Sequence, residues 1–300
     1  MVSAKTLFLE TRPHYLLLSM LLVCLGGAVA RHYGPFHWQG FMLCLLGLVL
    51  LHISTNVLND YFDYSSGIDL ETERTPFNGG SGLLNEGLLE PRHSLVFGLS
   101  AFALAVPIGG YLVSILGWSL LPLFLLGSAF VIFNTSHITR LGFGLGELSA
   151  GLGLGALPVF GTAWIVHGSP SPAFLWAAVP SALWVFNLLV RNEFPDERAD
   201  RRGGRKTLVI QLGFLRAWWV YAALGAAAYG WIIACVWAGA MPGQGLWVLL
   251  SLPLAAKAVA FSRNSHKLGL GGDFTKAQAA NVGLVLSGHG LLALGYWLAA

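Results

Sequence analysis

The chain has 300 residues, 55% of them hydrophobic and only 10% charged, with a formal net charge of +3 and a mean hydropathy of +0.67. A soluble globular protein carries about 25% charged residues, so this chain has too few polar groups to face water all round. An ordinary cytosolic enzyme, a disordered chain and a nucleic-acid-binding protein are excluded, which leaves a polytopic membrane protein.

A helix needs about 20 mostly apolar residues to cross the hydrocarbon core. The sequence predicts nine such spans, near 13–31, 38–59, 94–114, 116–134, 146–167, 173–191, 215–237, 245–262 and 280–299. The apolar runs are continuous rather than alternating over short segments, which excludes a transmembrane β-barrel and makes the fold class all-α. At the end of the first span, Ala28-Val29-Ala30 also fits a signal-peptide cleavage site; cleavage there would leave eight spans. Cys24, Cys44 and Cys235 lie in separate apolar runs without CxxC spacing, so neither a disulfide framework nor a zinc site is expected. The 38 glycines suit close helix packing. No stretch reads as a linker, and residues 1–300 are expected to form a single domain.

The charges orient the spans. Arg74 and Arg92 follow span 2, and Arg140 follows span 4. Arg198, Arg201, Arg202, Arg205 and Lys206 follow span 6, and Arg263, Lys267 and Lys276 follow span 8. The opposite loops hold Arg31 alone. Lys and Arg accumulate on the cytoplasmic side, so the N-terminus is expected in the cytoplasm and the C-terminus outside, in a multi-pass protein of the cell membrane. All 14 Asp and Glu residues fall at or near the same cytoplasmic ends. The charge rule does not require this, and chemistry on that face is the simplest reason.

Two acidic clusters carry that chemistry. At the end of span 2, Asn56, Asn59, Asp60 and Asp63 fall at i, i+3, i+4 and i+7, one face of a helix, with His52 a turn earlier. At the end of span 6, Asn192, Asp196 and Asp200 stack at i, i+4 and i+8, with Pro195 expected to kink the helix or end its membrane part. Stacked like charges repel, and ionisable groups near membrane depth are costly and functional. A divalent cation answers both problems, because Mg²⁺ takes one or two carboxylates together with waters and substrate phosphates. Arg74 after the first cluster, and Arg205 and Lys206 after the second, suit phosphate oxygens and a departing pyrophosphate. Asp69, Glu71, Glu73, Arg74 and Glu197–Arg202 also suit a solvated loop, and Arg198, Arg201 and Arg202 suit anionic lipid.

With these residues in view, the chain resembles the UbiA superfamily of intramembrane prenyltransferases over nearly its whole length. Asn59–Asp63 and Asp196–Asp200 match that superfamily's paired Asp-rich signatures. Arg12-Pro13, Thr75–Gly82, Gly144–Glu147 and Gly204–Gly213 agree as well, and the style is closest to the 1,4-dihydroxy-2-naphthoate polyprenyltransferases of menaquinone synthesis. The resemblance implies a nine-helix bundle around a central cavity, capped by cytoplasmic loops. It also implies Mg²⁺-dependent ionisation of a polyprenyl diphosphate and capture of the allylic cation by an aromatic acceptor. Asn59, Asp60, Asp63, Asp196 and Asp200 are implied as metal and diphosphate ligands, supported by Asn56 and Asn192. Arg74, Arg205 and Lys206 are implied as diphosphate contacts. Glu147 is expected to deprotonate or orient the acceptor. The naphthoate group commonly has Tyr-Arg where this chain has Gly142-Phe143, with Arg140 nearby to supply the charge. It usually has Pro-Pro where Ser136-His137 stands, and many relatives have Asn-Asn at Asn192-Glu193. These departures sit where acceptor recognition is expected. The acceptor alternatives are another phenol, a porphyrin-type ring, a phospho-sugar or a glycerol phosphate. A membrane terpene cyclase needs no acceptor at all, and an ion or lipid transporter is the rival from another class. Membrane lipid is the expected surrounding partner, and nucleic acid is not expected.

Overall fold

The computed structural model describes residues 3–72, 74–268 and 272–300, with side chains at 264–273 left outside that description. Glu73 and the Lys267 side chain therefore lie outside the described residues. Among the described residues, nine helices are long and apolar enough to cross a membrane. They are span 1 (Pro13–Tyr33), span 2 (Trp38–Ser65), span 3 (Pro91–Leu116), span 4 (Trp118–Leu141) and span 5 (Leu145–His167). Span 6 (Pro172–Arg202), span 7 (Phe214–Trp237), span 8 (Gly243–Arg263) and span 9 (Phe274–Leu298) complete the set. No strand occurs among the described residues, so the all-α class holds. Pro13 and Pro91 open spans 1 and 3, where a missing N–H leaves no helical bond unmade.

Span 6 is longer than its apolar run. Its helix runs unbroken through Pro195 to Arg202. A proline in a membrane helix is tolerated when neighbours re-satisfy the freed backbone groups. Asp196 and Asp200 therefore stay on one helical face, stacked one turn apart. Span 2 likewise continues to Ser65, six residues past its expected end, and carries the whole of the first acidic cluster in helical register.

Span 1 packs on spans 2, 5 and 9, span 2 pairs with span 3, span 6 with span 7, and span 8 with span 9. Leu22, Val23, Leu25 and Val29 of span 1 are sealed inside the main core with Leu120, Val159, Phe174, Ile232 and Leu292. Small residues let the backbones approach. A Cβ on Gly155 of span 5 would lie 2.8 Å from Ala182 Cα and 2.9 Å from the Ser181 carbonyl of span 6. Backbone cannot give way as a side-chain tip can, so Gly155→Leu is expected to force the two spans apart. The cost should be about 1–3 kcal/mol, read as a lower thermal midpoint in detergent. Gly110→Leu, with nothing within 4 Å, should leave the midpoint unchanged.

Span 4 is the outlier, with 6% of its apolar window buried. Its loose fit leaves a cavity of about 540 Å³ between it and spans 2, 3 and 5, lined among others by Leu43, Leu51, Phe102, Trp118, Phe124 and Ile165. The lining is almost wholly apolar. Along span 2 it stops at Leu51, eight residues short of Asn59, which is about 12 Å at the helical rise of 1.5 Å per residue.

Candidate active site

The two acidic clusters meet at one end of the bundle, and Arg205 joins them. Its guanidinium bonds Asp63 Oδ1 through Nη2 and Asp200 Oδ1 through Nη1 at 2.8 Å. Burial works against the Arg205 charge, but Asp63 and Asp200 outweigh it and hold the group well above the ordinary arginine value. Its Nε is buried without a partner. One guanidinium thus offsets the repulsion between carboxylates from different spans.

The first cluster is braced from span 1. Asn56 turns inward and donates to the Thr11 carbonyl at 2.9 Å. Arg12, in left-handed backbone at φ 52°, places Nη1 3.4 Å from Asn59 Oδ1 and 3.5 Å from Asp60 Oδ1. Burial opposes the Arg12 charge and Asp60 favours it, with a net upward shift. Asn59 Nδ2 donates to Asp63 Oδ2 at 3.0 Å and to Thr135 Oγ1 of span 4 at 3.2 Å. His52 is buried and shares a 2.7 Å hydrogen bond with Ser19 Oγ.

A loop from Thr75 to Gly82 caps both clusters. Asn78 Nδ2 donates to Asp196 Oδ1 at 2.6 Å, and the Ser81 N–H donates to Asp60 Oδ2 at 2.7 Å. The loop is tied down by Tyr15 Oη donating to the Phe77 carbonyl at 2.6 Å. Thr75 bonds Asn78 and also Gln278 of span 9 at 3.1 Å, and Gln278 Nε2 lies 3.5 Å from Asn192 Oδ1. Gly80, at φ 67°, is required at its place: a Cβ there would lie 2.9 Å from Asp60 Oδ1 and 3.1 Å from Asp69 Oδ2. Asp69, beneath the loop, is pushed up to about 7 by burial first and by Asp63 and Asp60 after it. Glu10 is raised by burial and then by Asp60, while the hydroxyls of Ser81 and Ser94 donate to it at 2.7 and 2.8 Å.

Not every residue singled out in the sequence joins this cluster. Arg74 folds back into its own loop, pairing with Glu86 at 2.7 Å and donating to the Ser81 carbonyl at 2.5 Å. Arg140 and Lys206 are exposed on neighbouring segments, which the Lys206 N–H joins by donating to the Thr139 carbonyl at 2.9 Å. Glu147 is 1% exposed, accepts the Leu208 N–H at 2.6 Å and lies against Glu193 of span 6. It anchors the segment that follows Arg205 and Lys206. Glu71 pairs with Arg202 and Glu197 with Arg201, all at the surface. Sequence reading missed the placements of Arg12, Asn78, Ser81, Thr135 and Gln278. Arg12, Asn78 and Ser81 lie in stretches that reading had marked, but nothing in the chain's spacing says that a loop at 75–82 and a helix at 192–200 touch.

Among the described residues, no three His, Cys, Asp or Glu side chains converge into a metal cage. Mg²⁺ does not need one, since it retains waters and substrate phosphates beside one or two carboxylates. The donors present fit it: Asp63, Asp196 and Asp200 offer hard oxygens, and all three lean on neutral or cationic partners that can exchange. Acidic clusters from two spans, bridged by a basic group beyond the end of an apolar cavity, suit the binding of a lipid diphosphate.

Residues 20–271 match the UbiA prenyltransferase family. The chain belongs to that family. It is 30% identical over 250 residues to 1,4-dihydroxy-2-naphthoate octaprenyltransferase of Bacillus subtilis (strain 168), covering 83% of this chain and 79% of that one. In fold it is similar to a UbiA homolog from Aeropyrum pernix K1, with a TM-score of 0.70 at 20% identity over 92% of this chain and 96% of the other. A UbiA homolog from Archaeoglobus fulgidus bound to DMAPP and Mg²⁺ aligns over 96% and 99% of the two chains, with a TM-score of 0.61 at 15% identity. The protein is thus an integral, multi-pass membrane prenyltransferase.

Proposed function

We propose that this enzyme transfers a polyprenyl group from its diphosphate to 1,4-dihydroxy-2-naphthoate, in a Mg²⁺-dependent step of menaquinone synthesis. The observation that carries the reading is the pairing of Asp63 and Asp200 through Arg205, placed beyond the end of an apolar cavity of about 540 Å³. The name of the Bacillus subtilis relative supports the acceptor, and the ligands of the Archaeoglobus fulgidus protein support the donor and the metal.

In this reading Asp63, Asp196 and Asp200, with Asn59 and Asp60, would hold Mg²⁺ beside the diphosphate. Asn56 and Asn192 fix the helices that present them. Bound Mg²⁺ supplies charge neutralisation of the leaving diphosphate. Arg205 and Lys206 bind its outer oxygens, with Arg140 and Arg74 at the rim, and Glu147 orients the acceptor side by holding the Lys206–Leu208 segment. The C1–O bond breaks with its electron pair going to the diphosphate. An electron-rich ring carbon then bonds C1, and the ring sheds a proton or carbon dioxide to recover aromaticity. Apolar walls keep water from the cation. The basic loops support a cytoplasmic location for this end of the bundle, with the N-terminus there and the C-terminus outside.

The tail assignment has a direct consequence. Gly47 lines the cavity, and a Cβ there would have Ile108 at 3.6 Å as its nearest neighbour. Gly47→Phe is therefore expected to fold, to fill the cavity and to shift preference towards shorter donors. Geranyl diphosphate should outcompete long-chain diphosphates in a mixed-donor assay, with about a tenfold change in the ratio of kcat/KM, equivalent to about 1.4 kcal/mol. An acceptor panel tests the reading itself. Prenylation of 1,4-dihydroxy-2-naphthoate in preference to 4-hydroxybenzoate, a porphyrin-type ring and glycerol phosphate is the expected result. Exclusive use of one of the others would reassign the acceptor.

A further inference from the structure

Thr135 stands at the boundary between the two halves of the site. It belongs to a π-helical turn, Asn134–Ile138, near the end of span 4. Such turns insert an extra residue and re-aim a helix face. Along span 4 the cavity is lined as far as Ser128, and Thr135 follows it by seven residues. Along span 2 the lining ends at Leu51 and Asn59 follows by eight. The hydrogen bond from Asn59 Nδ2 to Thr135 Oγ1, 3.2 Å long, therefore lies beyond the end of the cavity, on the side of the carboxylates. A lipid diphosphate held at Asp63, whose side chain shares Asn59 Nδ2 with Thr135, would bring C1 close to this bridge.

The hydroxyls of the neighbourhood are otherwise committed. Ser136 donates to the Ile132 carbonyl at 3.2 Å and Thr139 to the Thr135 carbonyl at 3.1 Å. Ser149 donates to Asn134 Oδ1 at 2.9 Å. Thr135 Oγ1 accepts from Asn59 and donates to nothing among the described residues. A half-buried hydroxyl with an unclaimed proton, fixed by a residue of the first acidic cluster, suits an oxygen on the incoming ring.

We propose that Thr135 orients the acceptor: its hydroxyl, held by Asn59, donates a hydrogen bond to a ring oxygen of a hydroxylated aromatic and so presents a ring carbon to C1. This rests on the proposed function and adds the group that selects for a ring hydroxyl. The uncharged threonine suits a neutral phenol or hydroquinone oxygen.

The test compares wild type, Thr135→Val and Thr135→Ser in steady state, varying donor and acceptor separately. Valine keeps the shape and removes the hydroxyl. Thr135→Val is expected to lose about tenfold in kcat/KM for the acceptor, the size of one lost hydrogen bond, with the KM for prenyl diphosphate within about twofold of wild type. Thr135→Ser should restore most of the loss. The preference of wild type for a naphthol over its methyl ether should also collapse in the valine variant. An unchanged acceptor kcat/KM in Thr135→Val, or a loss confined to the prenyl diphosphate KM, would overturn the proposal. Wild type that prenylates no hydroxylated aromatic at all would instead refute the functional reading on which it rests.

Discussion

Asp63→Asn and Asp196→Asn are each expected to lower prenyl transfer by about 10²–10³-fold, the usual cost of removing one preorganised charge-stabilising contact from a site of this kind. Asparagine keeps the volume and one acceptor oxygen but loses the negative charge that holds a divalent cation. The fold should survive both changes. In Asp63→Asn, Arg205 keeps Asp200 as a partner at 2.8 Å; in Asp196→Asn, the side-chain oxygen can still accept from Asn78. Initial rates of labelled lipid product, read beside a thermal midpoint close to wild type, check the expectation. Glu197→Gln is the contrasting control. That carboxylate pairs with Arg201 at 2.8 Å on the exposed face of the same helix, where an ion pair contributes about 0–1 kcal/mol, so the rate should not change. Equal losses in all three variants would mean that charge near span 6 matters only in bulk.

Arg205→Ala should be the most damaging single change at this end of the bundle. It leaves Asp63 and Asp200 as unpaired carboxylates facing each other from spans 2 and 6, each little exposed. Breaking a buried ion pair from one side costs about 3–5 kcal/mol. A fall in thermal midpoint together with loss of transfer is expected. The two effects separate on adding Mg²⁺. A divalent cation can neutralise the same two carboxylates, so the alanine variant should recover more thermal stability with Mg²⁺ than wild type does, while its transfer rate stays low for want of a diphosphate contact. Arg205→Lys should recover part of the stability and less of the rate, because an ammonium lacks the fork that reaches both carboxylates at once. A variant that gains nothing from Mg²⁺ would argue against a shared cation site.

Much of this was legible in the sequence because a membrane simplifies the reading. Spans show as long apolar runs, and the acids that interrupt them stand out at the ends of spans 2 and 6. The helical spacing of Asn56, Asn59, Asp60 and Asp63 was also readable, since span 2 carries it without a break. Pro195 does not end the helix, because proline's cost in a helix depends on neighbours that sequence does not reveal. The cap was hidden for a related reason. Asn78 and Asp196 are 118 positions apart, and Thr75 and Gln278 are 203 apart; no periodicity links a loop to a distant helix. Arg74 is a case of local contacts that spacing does not reveal. Its place after the first cluster suggested a phosphate contact, but the turn at Gly79–Gly82 brings Glu86 and the Ser81 carbonyl nearer to it. Thr135 was invisible because its contact with Asn59 joins residues 76 positions apart.

The central claim is that the two acidic clusters and Arg205 make one Mg²⁺-dependent site for ionising a prenyl diphosphate in front of an aromatic acceptor. The most direct measurement follows pyrophosphate release and prenylated product together. It uses the purified protein in proteoliposomes, with labelled prenyl diphosphate and 1,4-dihydroxy-2-naphthoate, as Mg²⁺ is titrated and then withdrawn with EDTA. Pyrophosphate and prenylated naphthol should appear in equal amounts, both rising with Mg²⁺ and both abolished by EDTA. Product formation that persists in EDTA, or pyrophosphate released with no prenylated ring from any hydroxylated acceptor, would contradict the account.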